Sequence, residues 1–168
     1  EMKTPYYNNF MDEKTQTAAS EIINKEMILD PKDCPGLVYF MPCPKSPHGV
    51  DVSPTGEYIV ASGKLAALIP VFSYEKMAKA IESKQFDGDI EGIPILKYDA
   101  VLAGEVQQPG LGPLHTEFDD KGFGYTSMFL SSEIVKWKLG TWEVVDRMPV
   151  YYSIGHLMVP GGDSKNPY

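Results

Sequence analysis

The chain has 168 residues, 43% of them hydrophobic and 23% charged, with 15 Gly and 14 Pro, which suits one ordinary domain of short strands and many turns. Its formal net charge of −8 argues against a nucleic-acid or anionic-membrane surface, because both need clustered Lys and Arg. No apolar run approaches the roughly 20 residues that cross a bilayer, so no membrane span is expected.

In chain order, the first segment is the least patterned. Thr15 to Leu29 offers a helical face through Ala18, Ile22, Ile23 and Met27 but no strong cap. Asp30 to Gly36, with Pro31 and Pro35, is a turn cluster that ends whatever precedes it. Leu37 to Met41 reads as a buried strand, and Pro42-Cys43-Pro44 holds the next stretch extended. Cys34 and Cys43, the only cysteines, have the spacing of neither a zinc knuckle nor a redox pair. They read as two small thiols, and a disulfide between them would require an oxidising compartment.

A hairpin follows, with strands around Val50-Asp51-Val52 and Tyr58 to Ala61, and then a strand over Ala67 to Phe72. The period then changes. Ser73 can cap a helix over Tyr74 to Lys84, with Met77, Ala80 and Ile81 on one face and Lys76, Lys79, Glu82 and Lys84 on the other. Such a helix, inserted among strands, packs on the outside of a sheet. Asp87 to Pro94 reads as a loop, and Ile95 to Tyr98 and Ala100 to Ala103 as strand pieces. Beyond the Gly-rich approach Pro109 to Pro113 lies a second hairpin, turning at Asp119-Asp120. Ile134 to Leu139 then alternates apolar and charged residues as a half-exposed strand does. Val144-Val145 and Val150-Tyr151-Tyr152 close the series.

The three histidines, His48, His115 and His156, each open such a unit after a Pro- or Gly-containing approach. Their separations are 67 and 41 residues (115 − 48 and 156 − 115), and a four-stranded propeller blade takes about 40–45 residues. The helix and the Asp87–Pro94 loop account for the longer interval. The predicted fold class is therefore all-β: successive blades of a β-propeller, one of them carrying a short helical insertion. If each histidine heads the innermost strand of its blade, all three reach the same end of one axis. Imidazoles gathered without carboxylates suit a borderline or soft metal ion, which makes His48, His115 and His156 candidate metal ligands. Asp51, three residues past His48, falls on the opposite face by strand alternation. Other chemistry is scarce: Gly110-Leu111-Gly112 runs into Pro113 rather than a helix, so it is no dinucleotide site, and no nucleophile elbow or phosphate loop occurs. A propeller that binds a small ligand or peptide, with purely structural histidines, remains an alternative. So does a propeller hydrolase or isomerase holding one metal ion.

Several stretches together resemble nitrous oxide reductase: Ser46-Pro47-His48-Gly49-Val50-Asp51-Val52-Ser53-Pro54 with Ser62-Gly63-Lys64-Leu65, then Gly110 to Thr116, Val135-Lys136-Trp137 and Gly155-His156-Leu157. The region of Ile93-Pro94 and Gly140 to Val144 resembles its second, atypical branch. The resemblance runs from about Cys34 to the end, and three histidine motifs in order make it specific. It implies a seven-bladed propeller, of which residues 1–168 are a fragment of about three to four blades. Residues 1–34 form a leading segment outside the pattern, and 35–168 hold the blades carrying the His motifs. It implies copper: a tetranuclear copper-sulfide cluster held only by histidines, with His48, His115 and His156 on three ligand positions. There nitrous oxide is reduced with two electrons and two protons to dinitrogen and water.

It also implies a C-terminal cupredoxin domain with a dinuclear electron-entry copper, absent from this stretch, a head-to-tail homodimer, an electron-donor protein and a periplasmic location. The family's calcium pattern, Tyr-Asn-x-Glu and an Asn before Pro-His, is not met: Phe10 follows Tyr7-Asn8-Asn9 and Ser46 stands before Pro47, which makes calcium doubtful. Opening at Glu1 and closing at Tyr168 within a pattern, the sequence reads as cut at both ends, and this stretch alone is expected to be inactive.

Overall fold

In a computed structural model, residues 30–160 are described, and they fall in two compact units, one ending at Leu37 and one beginning at Val38. The helical face over 15–29, the Tyr7-Asn8-Asn9 element and the residues after Pro160 lie outside the described residues. In the first unit Asp30–Leu37 is a run of turns. The Asp33 N–H bonds the Asp30 carbonyl at 3.0 Å, and the Leu37 N–H bonds that of Cys34 at 3.1 Å. Both cysteines are free.

The second unit is built on two four-stranded antiparallel sheets. The first contains β1 (Pro47–Val52), β2 (Tyr58–Gly63), β3 (Leu68–Ser73) and β6 (Leu102–Gln107), in that order. Between its third and fourth strands lies the insertion: α1 (Tyr74–Glu82), the hairpin β4 (Phe86–Ile90) and β5 (Ile93–Leu96), and the short helix α2 (Tyr98–Val101). The second sheet is an uninterrupted meander of β7 (Pro113–Phe118), β8 (Phe123–Met128), β9 (Glu133–Lys138) and β10 (Val144–Pro149). Two such sheets, each entered at its first strand by a histidine unit, make the domain propeller-like. No strand covers His156, the head of the third unit.

Strand alternation builds the core. Val60 on β2 and Ile69 and Val71 on β3 point to one face, where they meet Phe118, Met128, Val135 and Trp137 of the second sheet. Ala61 and Phe72 point to the other face, against Ala80, Leu96 and Val101 of the insertion. β3 is thus covered on both sides, which explains its unbroken apolar run. Trp137 is fully buried, and its ring lies over Gly124, where an added Cβ would come within 2.5 Å of it. The indole N–H donates to Thr126 Oγ1 at 2.9 Å, and that hydroxyl is 2.7 Å from the hydroxyl of Thr116, so these three buried polar groups are paired.

The insertion follows its cap signal. Ser73, extended at φ −105°, accepts the Lys76 N–H with its hydroxyl at 3.1 Å and starts α1 at Tyr74. Three elements depart from the sequence reading. Asp87–Pro94 is a hairpin turning at Glu91-Gly92, both with positive φ (53° and 82°), as a tight two-residue turn requires. Residues 98–101 are helical rather than extended, and the sheet strand starts only at Leu102. The stretch around Phe40 makes one parallel bridge to Ile95 instead of a buried strand, since Pro42 and Pro44 have no N–H to extend a ladder.

Candidate metal centre

The first strands of the two sheets, β1 and β7, pack against each other, and His48 and His115 lie on them. Each strand enters through a left-handed residue followed by proline: Ser46 (φ 59°) before Pro47, and Gly112 (φ 76°) before Pro113. Ser153 (φ 54°) is also left-handed on the approach to His156, but Ile154 rather than proline follows it and no strand begins there. Each strand then carries the same irregularity. Pro47 pairs with Gly63 and Val50 with Ala61, so three steps on β1 face two on β2; likewise Pro113 pairs with Met128 and Thr116 with Thr126. Both are one-residue bulges, and both histidines sit inside them. Bulges re-aim side chains, and here they turn imidazoles toward one place. The positions are equivalent within one residue: His48 is the first bulged residue of its strand and His115 the second.

The rings converge. His48 and His115 have centroids 5.0 Å apart with planes near perpendicular (83°), and His115 and His156 have centroids 4.3 Å apart, tilted by 39°. His115 is therefore the middle of a row of three. It is half-buried while His48 and His156 are exposed, and its Nε2 is buried with no hydrogen-bond partner among the described residues. A buried imidazole nitrogen left unpaired is costly unless something accepts its lone pair or its proton. An imidazole donor set with one such nitrogen fits copper. Among the described residues no three His, Cys, Asp or Glu side chains are gathered to hold a single ion.

Three residues that sequence reasoning passed over complete the site. Gly49 lets the strands approach: a Cβ there would lie 2.0 Å from the Leu114 carbonyl oxygen and 2.8 Å from His115 Nδ1. Asp51, counted onto the opposite face by simple alternation, reaches across to the second sheet because the bulge resets the count. Its Oδ2 accepts the Thr116 N–H at 2.7 Å, and its Oδ1 lies 3.8 Å from His115 Nδ1, within ion-pair reach. Ser127 of β8 lies opposite the second bulge. Its hydroxyl accepts the His115 N–H at 3.3 Å and donates to the His115 carbonyl at 3.4 Å, standing in for ladder bonds that the bulge removes. The Ser127 hydroxyl holds the peptide that carries the imidazole, and the Asp51 carboxylate, bonded to the next N–H, faces Nδ1 from beyond hydrogen-bond distance.

Asp51 therefore ties one sheet to the other through a backbone N–H. Asp51→Ala leaves that N–H unpaired and is expected to destabilise the protein by about 1–3 kcal/mol, whereas Asp51→Asn, which keeps an acceptor, recovers most of it. Urea denaturation of the two variants checks this; equal midpoints for Ala and wild type would remove Asp51 from the contact between sheets.

No family model matches the chain. Among curated proteins it is similar to the nitrous-oxide reductase of Ralstonia nicotianae, 38% identical over 139 residues, covering 76% of this chain and 20% of that protein. That of Cupriavidus necator is 37% identical over 139 residues, with the same coverage. That of Stutzerimonas stutzeri is 33% identical over 130 residues, covering 70% of this chain and 18% of that protein. The chain thus spans about a fifth of the length of these relatives. Among solved structures it shares a fold with Kuenenia stuttgartiensis hydrazine synthase, at a TM-score of 0.51 and 11% identity, over 75% of this chain and 29% of that one. Over most of its length, this chain is related to a segment of the nitrous-oxide reductases.

Proposed function

We propose that this chain supplies part of the histidine shell of a multi-copper centre at which nitrous oxide is reduced to dinitrogen and water, with His48, His115 and His156 as ligands. The observation that carries the reading is the row of three imidazoles whose middle member has a buried Nε2 with no partner among the described residues. The kinship to proteins named nitrous-oxide reductase supports the choice of reaction. Copper bound there would supply the electrons that nitrous oxide takes up with two protons. The chain's own part is to hold and aim the rings: the bulges point them, Ser127 and Asp51 hold the backbone of residues 115 and 116, and the packing of β1 on β7 keeps the half-buried ring from bulk water. Only three histidines occur in this chain, so a tetranuclear cluster draws further ligands from other blades.

On the same reading, residues 35–168 are blades of an N-terminal propeller domain and the electron-entry copper sits in a cupredoxin domain. The protein works as a head-to-tail dimer in the periplasm, fed by an electron-donor protein. Among the described residues no helix is long and apolar enough to cross a membrane. Metal and sulfide analysis of the full-length protein tests the proposal. Several coppers per chain with acid-labile sulfide are expected. No metal would make the histidines structural and the propeller a binding module, and a single ion other than copper would point to a mononuclear hydrolase or isomerase.

A further inference from the structure

The two histidine bulges are the same construction, but only one of them is finished. Ser62 lies on β2 opposite the first bulge, between Ala61, which pairs with Val50, and Gly63, which pairs with Pro47. Ser127 lies on β8 opposite the second, between Thr126, which pairs with Thr116, and Met128, which pairs with Pro113. The two serines are thus equivalent residues of equivalent sheets, and both are fully buried. The Ser127 hydroxyl is bonded to the N–H and the carbonyl of His115. The Ser62 hydroxyl has no hydrogen-bond partner among the described residues.

A buried hydroxyl without a partner is unfavourable, and alanine would fill the same small space between Ala61 and Gly63 without that penalty. Packing therefore does not account for Ser62. Its neighbours across the ladder gap are the peptide groups of His48 and Gly49. Gly49 is buried and pressed against the Leu114 carbonyl, so it cannot swing away, whereas the His48 side chain is exposed and meets the centre through its edge-on contact with the His115 ring. What the second bulge has and the first lacks is a closed bond from the serine to the histidine's backbone.

We propose that Ser62 is a positioning residue for His48: its hydroxyl bonds the His48–Gly49 backbone at the bulge once copper holds the His48 ring, repeating for the first sheet what Ser127 does for the second. The inference rests on the reading of His48 as a copper ligand. Because the bond forms in the loaded state and not in the free one, it contributes to copper affinity and not to metal-free stability. Ser127 contributes to both. The two serines therefore separate by measurement.

In the full-length protein, Ser62→Ala and Ser127→Ala are compared with wild type for metal-free thermal midpoint, copper(I) retention against a competing chelator, and amide exchange of the peptide covering β1. Without metal, Ser127→Ala lowers the midpoint by roughly 3 °C while Ser62→Ala leaves it unchanged or raises it. With copper(I), wild type gains protection at His48 and Gly49, Ser62→Ala does not, and its copper retention falls about fivefold, the size of one neutral hydrogen bond. A metal-free loss in Ser62→Ala equal to that in Ser127→Ala overturns the proposal, because the bond would then exist before loading. Copper-dependent protection and retention as in wild type overturn it as well. If wild type shows no copper-dependent protection and His48→Ala keeps its copper, the copper reading itself fails and takes this inference with it.

Discussion

Replacing Gly49 with alanine is expected to separate the two sheets at the centre and destabilise the protein by at least about 3 kcal/mol. The added methyl would sit 2.0 Å from the Leu114 oxygen and 3.1 Å from its carbonyl carbon, and both are backbone atoms of β7. A side chain in the way could change rotamer; a strand cannot move without moving the sheet behind it. Gly49 is not among the residues with positive φ, so alanine is not otherwise penalised there, and by restricting the unfolded chain it would even help a little. Sterics alone decide the sign. Gly56→Ala is the matched control: that position has φ 76° but open space around it, and its cost is expected near 1 kcal/mol from backbone strain alone. Urea midpoints compare the two directly. Equal losses, or a Gly49→Ala protein as stable as wild type, would mean that β1 and β7 do not approach as closely as described. Because the same methyl lies 2.8 Å from His115 Nδ1, the proposed copper site should also be weakened in this variant, and by more than its stability loss explains.

That close approach was invisible in the sequence, and the reason is physical. A bulge adds one residue to a strand and leaves no mark in the apolar pattern, yet it reverses the face of every residue beyond it. Strand alternation counted from His48 therefore sends Asp51 away from the centre, and the bulge between Pro47 and Val50 brings it back. Ser127 was hidden for the same reason, since nothing marks it until the bulge opposite is known. One usable signal exists: Pro47 and Pro113 are each followed within two residues by a histidine, and a pair of small or hydroxyl-bearing residues precedes the last residue of the partner strand, Ala61-Ser62 in one sheet and Thr126-Ser127 in the other.

What was legible depended on local chemistry. Ser73 and the Met77, Ala80 and Ile81 face marked α1, because a cap and a period are properties of neighbouring residues. The insertion was recognised from the long interval between His48 and His115, and it does lie inside one sheet, between β3 and β6. Its inner hairpin reads as a loop in the sequence because Glu91-Gly92 is a weak version of the Asn-Gly or Asp-Gly signal, and Asp89, whose carboxylate accepts the Gly92 N–H at 2.8 Å, supplies the missing turn chemistry from two positions earlier. Residues 98–101 looked extended because aromatic and β-branched types occur in both states; tertiary packing of Tyr98 and Val101 around Phe72 decided for helix. Placement alone predicts that the histidines converge, and the rings do come together, although His156 reaches the row from a segment without strand structure.

On the proposal that the row holds copper, His115→Ala in the full-length protein is expected to lower copper retention by more than the 10- to 100-fold typical of changes outside the ligand shell, and to bring nitrous oxide turnover below detection. His115 is the middle ring, 5.0 Å from one neighbour and 4.3 Å from the other, so its loss opens the row at its centre, whereas loss of His48 or His156 shortens it at one end. The fold should survive. Ser127 bonds the backbone of residue 115 and Asp51 bonds the backbone of Thr116, so neither contact uses the imidazole. Removing the ring also removes a buried nitrogen without a partner, which offsets part of the packing lost from a half-buried side chain. The metal-free stability change should therefore stay within about 1 kcal/mol. Copper per chain, nitrous oxide consumption with an artificial electron donor, and the metal-free urea midpoint are the three measurements. Full copper and full turnover in the variant would exclude His115 as a ligand. A collapse of the midpoint, with copper lost only as a consequence, would assign the residue to the fold instead of the centre.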